Sequence, residues 1–289
     1  LNALNVGFIG LGAMGLPMAG HLARAGLLRA VWNRSHAKAA AFSVEHGVAA
    51  PATVAELAPL CDVIALCVPA DTDVLELARE IAAHARPGAI VVDHSTVSSV
   101  TARAAQALLA EHGCGFLDAP VSGGVEGAKN GKLSVMAGGD EDMLVRIRPA
   151  LDCYAAKVNL MGPVGAGQDT KAVNQVLVAG IAQAVCEGLA LAERLGLDPE
   201  RLLPTLGAGA AGNWFLDKRG ATMLRDEFKV GFKLALLHKD LKIVRELALA
   251  AGTDRSIIEK SLADYAVLMA QGYGDDDISA LIRLKRKGG

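Results

Sequence analysis

The sequence predicts an α/β chain in two parts: a doubly wound parallel sheet, then an all-α carboxy-terminal domain. Three observations carry this. From Leu4 to about Met161, short apolar runs alternate with amphipathic stretches. That alternation stops at a glycine-rich segment, Met161–Gly167, and a long apolar helical run follows it. The chain has 289 residues, 52% of them hydrophobic and 21% charged, enough for two domains with ordinary cores. The expected division is 1–163 and 164–289.

The expected strands are Leu4–Ile9, Arg29–Trp32, Asp62–Val68, Ala89–Asp93, Gly115–Asp118, Leu133–Ala137 and Ala156–Leu160. Helical patterns lie between them at Met14–Ala25, Ala37–His46, Val54–Leu60, Val100–His112 and Glu141–Leu151. Strands that are apolar on both sides need cover on both faces, which helices flanking a parallel sheet provide. Beyond the hinge, Gln168–Leu195 reads as one helix, apolar around most of its circumference. Its small residues Ala179, Gly180, Ala182 and Ala184 permit close helix contact, within the domain or with a second copy, so a homo-oligomer is expected. Further helices are expected at Phe232–Ala251 and Ser256–Gln271.

Charge excludes some partners. Lysine and arginine number 29 against 31 acidic residues, a formal net charge of -2. This gives no basis for binding nucleic acid or an anionic membrane. The one dense basic run, Arg283-Leu284-Lys285-Arg286-Lys287, reads as a solvated tail. The cysteines at 61, 67, 114, 153 and 186 show no pairing or metal-ligand spacing, which fits reduced thiols in the cytoplasm. The apolar start of the chain has no basic n-region and is interrupted by glycines and Pro17, so neither a signal peptide nor a membrane span is expected. The histidines show no ligand spacing, His94 reads as a structural histidine, and no metal is expected. H-E-x-x-H, G-x-S-x-G and phosphate-loop patterns are absent from the sequence.

The first strand runs into Gly10-Leu11-Gly12-Ala13-Met14-Gly15 and then a helix. In this G-x-G-x-x-G pattern Gly10 permits a tight turn, Gly12 lets a pyrophosphate approach the backbone, and Gly15 lets helix and strand pack closely. The helix N-terminus adds N–H donors for phosphate. With a second strand at the right distance, the pattern predicts a Rossmann-type site for a nicotinamide dinucleotide. An acidic residue after that second strand would bond the ribose 2′-hydroxyl of NAD. Here Asn33-Arg34-Ser35 stands instead. Arg34 can pair with a 2′-phosphate while Asn33 and Ser35 donate to it, so NADP(H) is the expected preference, with NAD(H) possible.

Three further segments hold polar residues where a binding site is expected. Asp118-Ala119-Pro120-Val121-Ser122-Gly123-Gly124 follows a strand. Gly162-Pro163-Val164-Gly165-Ala166-Gly167-Gln168-Asp169-Thr170-Lys171-Ala172-Val173-Asn174-Gln175 opens the long helix, and Phe232–Leu241, containing His238-Lys239-Asp240, opens a later one. Together with the glycine loop, these segments resemble the β-hydroxyacid dehydrogenase family in order and spacing, from about residue 4 to 280. By residue type alone, Lys171 fits a snorkelling surface lysine as well as a catalytic one. The resemblance places it on the family's catalytic lysine, which would donate a proton to a carbonyl oxygen as hydride arrives. A free lysine titrates near ~10.4, so reduction is the easier direction near neutral pH.

The Ser122-Gly123-Gly124 loop would bind a substrate carboxylate with its hydroxyl and N–H groups. The same resemblance implies that this segment and Asn174 hold the substrate, and that Lys239 lies near nicotinamide and substrate with Asp240 beside it. Gln175 stands where some members carry a second asparagine. Val68, Pro69 and Thr96, at the carboxyl ends of strands, match cofactor-contacting positions. Trp214, in a chain with 4% aromatic residues, is a candidate wall of the substrate pocket. The expected activity is reduction of a small carboxylated aldehyde, such as tartronate semialdehyde, glyoxylate or succinic semialdehyde, by an enzyme forming dimers or tetramers. An NAD-dependent 3-hydroxyisobutyrate or serine-type dehydrogenase is the close alternative. A non-catalytic dinucleotide-binding protein is a distant one; it would have no need of Ser122, Lys171, Asn174 and Lys239 together. Imine reductases look similar but usually lack the lysine.

Overall fold

A computed structural model describes residues 4–286. The chain divides into two compact units between Lys171 and Ala172. In the first, β1 (Val6–Ile9), α1 (Gly15–Arg24), β2 (Leu28–Trp32), α2 (His36–His46) and α3 (Val54–Leu57) lead to β3 (Val63–Leu66). Next come α4 (Asp71–His84), β4 (Ile90–Asp93), α5 (Ser99–Ala110), β5 (Gly115–Asp118), β6 (Val121–Ser122) and α6 (Gly124–Lys129). The set closes with β7 (Leu133–Gly138), α7 (Glu141–Leu151) and β8 (Ala155–Gly162), and α8 (Ala166–Arg194) leads out of it.

The strands form one sheet in the order β2-β1-β3-β4-β5-β7-β6, with β8 also paired to β7. β1 to β5 are parallel. Chain direction reverses at β7, which is antiparallel to β5 and β6 and parallel to β8, so the edge is mixed rather than wholly parallel. Alternate residues of each strand feed two cores, one on each face. Phe8, Val63, Ala65 and Val92 join Met18 and Leu22 of α1. Ile9, Ile64, Leu66 and Val91 join Leu77 and Ile81 of α4. Burying an Ile or Leu side chain completely stabilises by about 1.5–3 kcal/mol, so both apolar faces hold the helices on the sheet. Because β1 lies between β2 and β3, the strand order reverses there, the point at which open α/β sheets bind ligands at the carboxyl ends of their strands.

Two helices and one strand of this unit go beyond the sequence expectation. α4 has apolar residues Val74, Leu77, Ala78, Ile81 and Ala82 at helical spacing, all buried, so its signal was legible. β6, two residues long, and α6, six residues long, are too short to show a period and exist through pairing with β7 and packing under it.

After α8 the second unit contains α9 (Pro199–Ala208), α10 (Trp214–Leu224), α11 (Leu234–Ala251), α12 (Ser256–Ala270) and α13 (Ile282–Lys285). α9 and α10 fall in a stretch without an expected helix; Pro199 and Asp198 mark the start of α9, and Asn213 caps α10 through the N–H of Leu216. Ala179, Ala182, Cys186 and Leu189 of α8 join Met223, Leu237, Leu241, Tyr265 and Leu281 in the core of this unit. Among the described residues α8 alone is long and apolar enough to cross a membrane by length and composition, a test that a core helix also passes. Its residues Val173, Leu177 and Ile181 form an exposed apolar stripe.

The basic run near the end is not a solvated tail. Arg283 pairs with Asp276 and stacks over Phe228 and Tyr273. Lys285 pairs with Asp264 at 3.2 Å, and Arg286 is held by Glu193 and Asp226. Acidic partners 7 to 93 residues away, brought in by folding, neutralise these cations, which a charge count over the run itself does not show. Lys287 lies outside the described residues.

Candidate active site

The glycine loop fits the pyrophosphate of a dinucleotide on steric grounds. Gly10 has φ +99°, and a Cβ there would stand 2.3 Å from the Cys67 carbonyl oxygen. A Cβ at Gly15 would lie 1.9 Å from the Gly10 carbonyl oxygen, so only glycine lets α1 start so close to β1. At Gly12 a Cβ would meet nothing within 4 Å: the backbone there faces open space, with Ala13 exposed and Met14 half-buried ahead of α1. Leu11 is buried, and its N–H donates to Asn33 Oδ1 at 2.9 Å. Asn33 Nδ2 donates to the Ser35 carbonyl at 3.1 Å. Asn33 thus ties the loop to the end of β2, an engagement that the expected phosphate-donor role does not include. Arg34 is exposed and lies 3.6 Å from Asp73 of α4; Ser35 is the exposed residue that precedes α2.

Beyond β3, the Val68 N–H donates to Ser95 Oγ at 2.9 Å, and Ser95 N–H donates to Asp93 Oδ1. Pro69 is exposed and Thr96 half-buried. Burial pushes the Cys67 thiol up to about 12, so it carries no thiolate at neutral pH. His94 is buried. Its Nδ1 lies 2.7 Å from the Ala119 carbonyl oxygen and its Nε2 2.8 Å from the Tyr154 hydroxyl. A carbonyl only accepts, so Nδ1 donates and Nε2 accepts from Tyr154. Desolvation lowers the His94 pKa to about 4 and keeps the ring neutral.

Residues 119–124 run from β5 into α6. Gly123 and Gly124 have φ of +127° and +61°, a turn that ends β6 at half-buried Ser122 and starts α6. Lys171 is buried, and its Nζ donates to the Val121 carbonyl oxygen at 2.8 Å. This ammonium therefore lies at the same loop as Ser122. Asp118, at the end of β5, accepts from the N–H groups of Gly165 at 2.8 Å and Gln168 at 2.9 Å. Burial raises the Asp118 pKa, against the lowering effect of these two N–H groups.

Within the helical unit, Asn174 Nδ2 donates to Gln175 Oε1 at 2.8 Å, and Gln175 Nε2 donates to Asp240 Oδ2 at 2.7 Å. The other Asp240 oxygen pairs with Lys239 Nζ at 2.9 Å. Asn174, Gln175, Asp240 and Lys239 thus form one chain of contacts, with Gln175 and Asp240 buried. Sequence reasoning singled out three of these four and missed the part played by Gln175; its signal was an amide beside Asn174 in an apolar helix. Trp214 opens α10 half-exposed, with the Arg219 guanidinium 5.4 Å from its ring centroid, whereas Phe215 is core.

A glycine cradle at a strand-order reversal marks a dinucleotide-binding fold, and a buried lysine lies at the loop after β5. Known proteins narrow the class. Residues 5–162 match the family described as the NAD binding domain of 6-phosphogluconate dehydrogenase. Residues 165–285 match that described as the NAD-binding of NADP-dependent 3-hydroxyisobutyrate dehydrogenase. The chain is 34% identical to 2-hydroxy-3-oxopropionate reductase of Escherichia coli, over 97% of this chain and 96% of that one. It is 33% identical to NAD-dependent L-serine dehydrogenase of Pseudomonas aeruginosa, over 96% and 97%. A structure of Mycobacterium tuberculosis 3-hydroxyisobutyrate dehydrogenase with L-serine superposes with a TM-score of 0.87 at 34% identity, covering 98% of this chain and 99% of that one. The chain belongs to the β-hydroxyacid dehydrogenase family, and it is an NAD(P)-dependent hydroxyacid dehydrogenase.

Proposed function

We propose that this enzyme reduces a small carboxylated aldehyde of the tartronate semialdehyde class to its hydroxy acid, preferring NADPH, with Lys171 as the proton donor. The observation that carries the reading is the buried Lys171 ammonium bonded to the Val121 carbonyl, one residue before Ser122. A positioned ammonium can give its proton to a carbonyl oxygen that gains negative charge. A bound reduced nicotinamide supplies the hydride. Lys171 then transfers a proton to the oxygen on which negative charge develops, and Val121 holds the ammonium in place for that transfer. Ser122 and the N–H groups of the Gly123-Gly124 turn bind the substrate carboxylate, an arrangement that small residues allow. Asn174, one helical turn from Lys171, orients the substrate. Lys239 contacts substrate and nicotinamide, and Asp240 acts through Lys239.

The carboxyl ends of the strands would hold the dinucleotide, with Gly10–Gly15 at the pyrophosphate and Val68, Pro69 and Thr96 at the nicotinamide side. Arg34 supports a 2′-phosphate and hence NADP(H). The carboxylate of Asp73, 3.6 Å from Arg34, competes for that cation and favours a second reading, an NAD-linked oxidation of a 3-hydroxy acid such as L-serine or 3-hydroxyisobutyrate. The apolar stripe of Val173, Leu177 and Ile181 supports a homo-oligomer.

The test is kcat/KM for tartronate semialdehyde, glyoxylate and succinic semialdehyde with NADPH and NADH, and for L-serine and 3-hydroxyisobutyrate with NADP and NAD. The reading expects its highest value with a semialdehyde and NADPH. A clear preference for NADH would remove the role given to Arg34, and no turnover on the whole panel would overturn the reading.

A further inference from the structure

The Lys171 ammonium is useful only if the first turns of α8 are fixed relative to the nicotinamide side of the sheet. Asp118 fixes the helix start, by accepting from the N–H groups of Gly165 and Gln168. The Gln168 side chain, buried, then reaches to the end of β4: Oε1 accepts from Val97 N–H at 3.2 Å, and Nε2 donates to the Ser95 carbonyl at 2.8 Å. Ser95 accepts the Val68 N–H through its hydroxyl. One amide therefore stands between the helix turn that carries Lys171 and the backbone that carries Val68.

The chemistry of that position is restrictive. An N–H faces one end of the side chain and a carbonyl faces the other, so the residue must accept at one atom and donate at its neighbour. A carboxamide of glutamine length does both. Glutamate would set a carboxylate oxygen against the Ser95 carbonyl, and methionine would leave both backbone groups without their partner in a buried place.

We propose that Gln168 is a positioning residue that sets the Lys171 ammonium relative to the nicotinamide, through Ser95 and Val97, without itself touching substrate. The inference rests on Lys171 being the proton donor. Gln168 is three residues before Lys171 on α8, so loss of its anchor shifts the ammonium while leaving the glycine loop in place. A misplacement of about 1 Å at a reacting group lowers rate by up to about 100-fold.

The test compares Gln168→Met, Gln168→Glu, Lys171→Ala and wild type, each shown to be folded by thermal melting. Turnover is measured with whichever of tartronate semialdehyde or L-serine the wild type uses, and cofactor affinity by nicotinamide fluorescence. Two Gln168 variants guard against one that fails to fold. Both are expected to lose about 10- to 100-fold in kcat while binding cofactor within about threefold of wild type. The solvent deuterium isotope effect on kcat should rise and the pH profile of kcat should shift, because proton transfer from a displaced lysine becomes limiting. A merely structural role would scale kcat and leave isotope effect and pH profile unchanged, and that result overturns the inference. Wild-type kcat in the Gln168 variants, with Lys171→Ala inactive, overturns it alone. Persistent turnover in Lys171→Ala overturns the proton-donor reading and the inference with it.

Discussion

The backbone N–H of Leu11 donates to the side-chain oxygen of Asn33 at 2.9 Å, across 22 residues of sequence. The residue that follows the second strand therefore holds the glycine loop in shape, a role that would serve either cofactor. Removing this bond should weaken both cofactors alike. Asn33→Ala is expected to lower kcat/KM for NADPH and NADH by a similar factor, about two- to tenfold. A loss confined to NADPH would return Asn33 to direct contact with the 2′-phosphate.

Arg34 and Asp73 should control cofactor choice in opposite senses. With Asp73 3.6 Å away and Arg34 largely exposed, the pair itself contributes little to stability; its proposed role is in the choice of cofactor. Arg34→Ala should lower kcat/KM with NADPH about 10- to 100-fold and change NADH far less, the size expected for a charge-assisted phosphate contact. Asp73→Asn should raise the NADPH to NADH ratio. An unchanged ratio in both variants would remove the pair from specificity.

Lys171→Ala should reduce kcat by about 10²- to 10⁴-fold, the usual worth of a general acid, with cofactor binding by fluorescence nearly intact. The Val121 carbonyl then loses its buried donor, so a modest drop in melting temperature is also expected. Equal loss of cofactor affinity and rate would mark Lys171 as structural.

Buried neutral His94 makes stability depend on pH with a definite sign. Its pKa falls to about 4 in the folded chain, whereas an exposed histidine titrates near ~6.5. Above the unfolded value both states are neutral and the full stability is present. As pH falls toward 4 only the unfolded state gains the proton, so stability drops by about 2 kcal/mol between pH 7 and 5. Urea unfolding at several pH values checks this. His94→Gln, whose amide can still donate to Ala119 and accept from Tyr154, should flatten that slope; an unchanged slope would assign the pH dependence to other groups.

Local sequence carried much of the fold. Apolar runs marked β1 to β5, and the helical period marked α8, because both signals depend on neighbours within a few turns. β6 and α6 escaped that reading since their length shows no period, and the reversal of direction at β7 is set by pairing with β5 and β6. The candidate site divides in the same way. Gly10 and Gly15 are legible because a Cβ at either would collide with backbone, Gly12 because it completes the same short motif, and Lys171 because its motif is compact. Gln168 gave no comparable signal: a single glutamine in a helix has many uses, and its partners are Ser95 and Val97, more than 70 residues earlier.

The sequence by itself determined that a glycine cradle follows the first strand, that an α/β unit precedes a helical one, and that Lys171 opens the long helix between them. Tertiary structure decided what those residues touch. It gave Asn33 to Leu11, Gln175 to Asp240 across 65 residues, and Arg286 to Glu193 across 93. The physical reason is range: periodicity and turn chemistry act over a few residues, whereas a buried polar side chain must find its partner wherever folding brings one within about 3 Å.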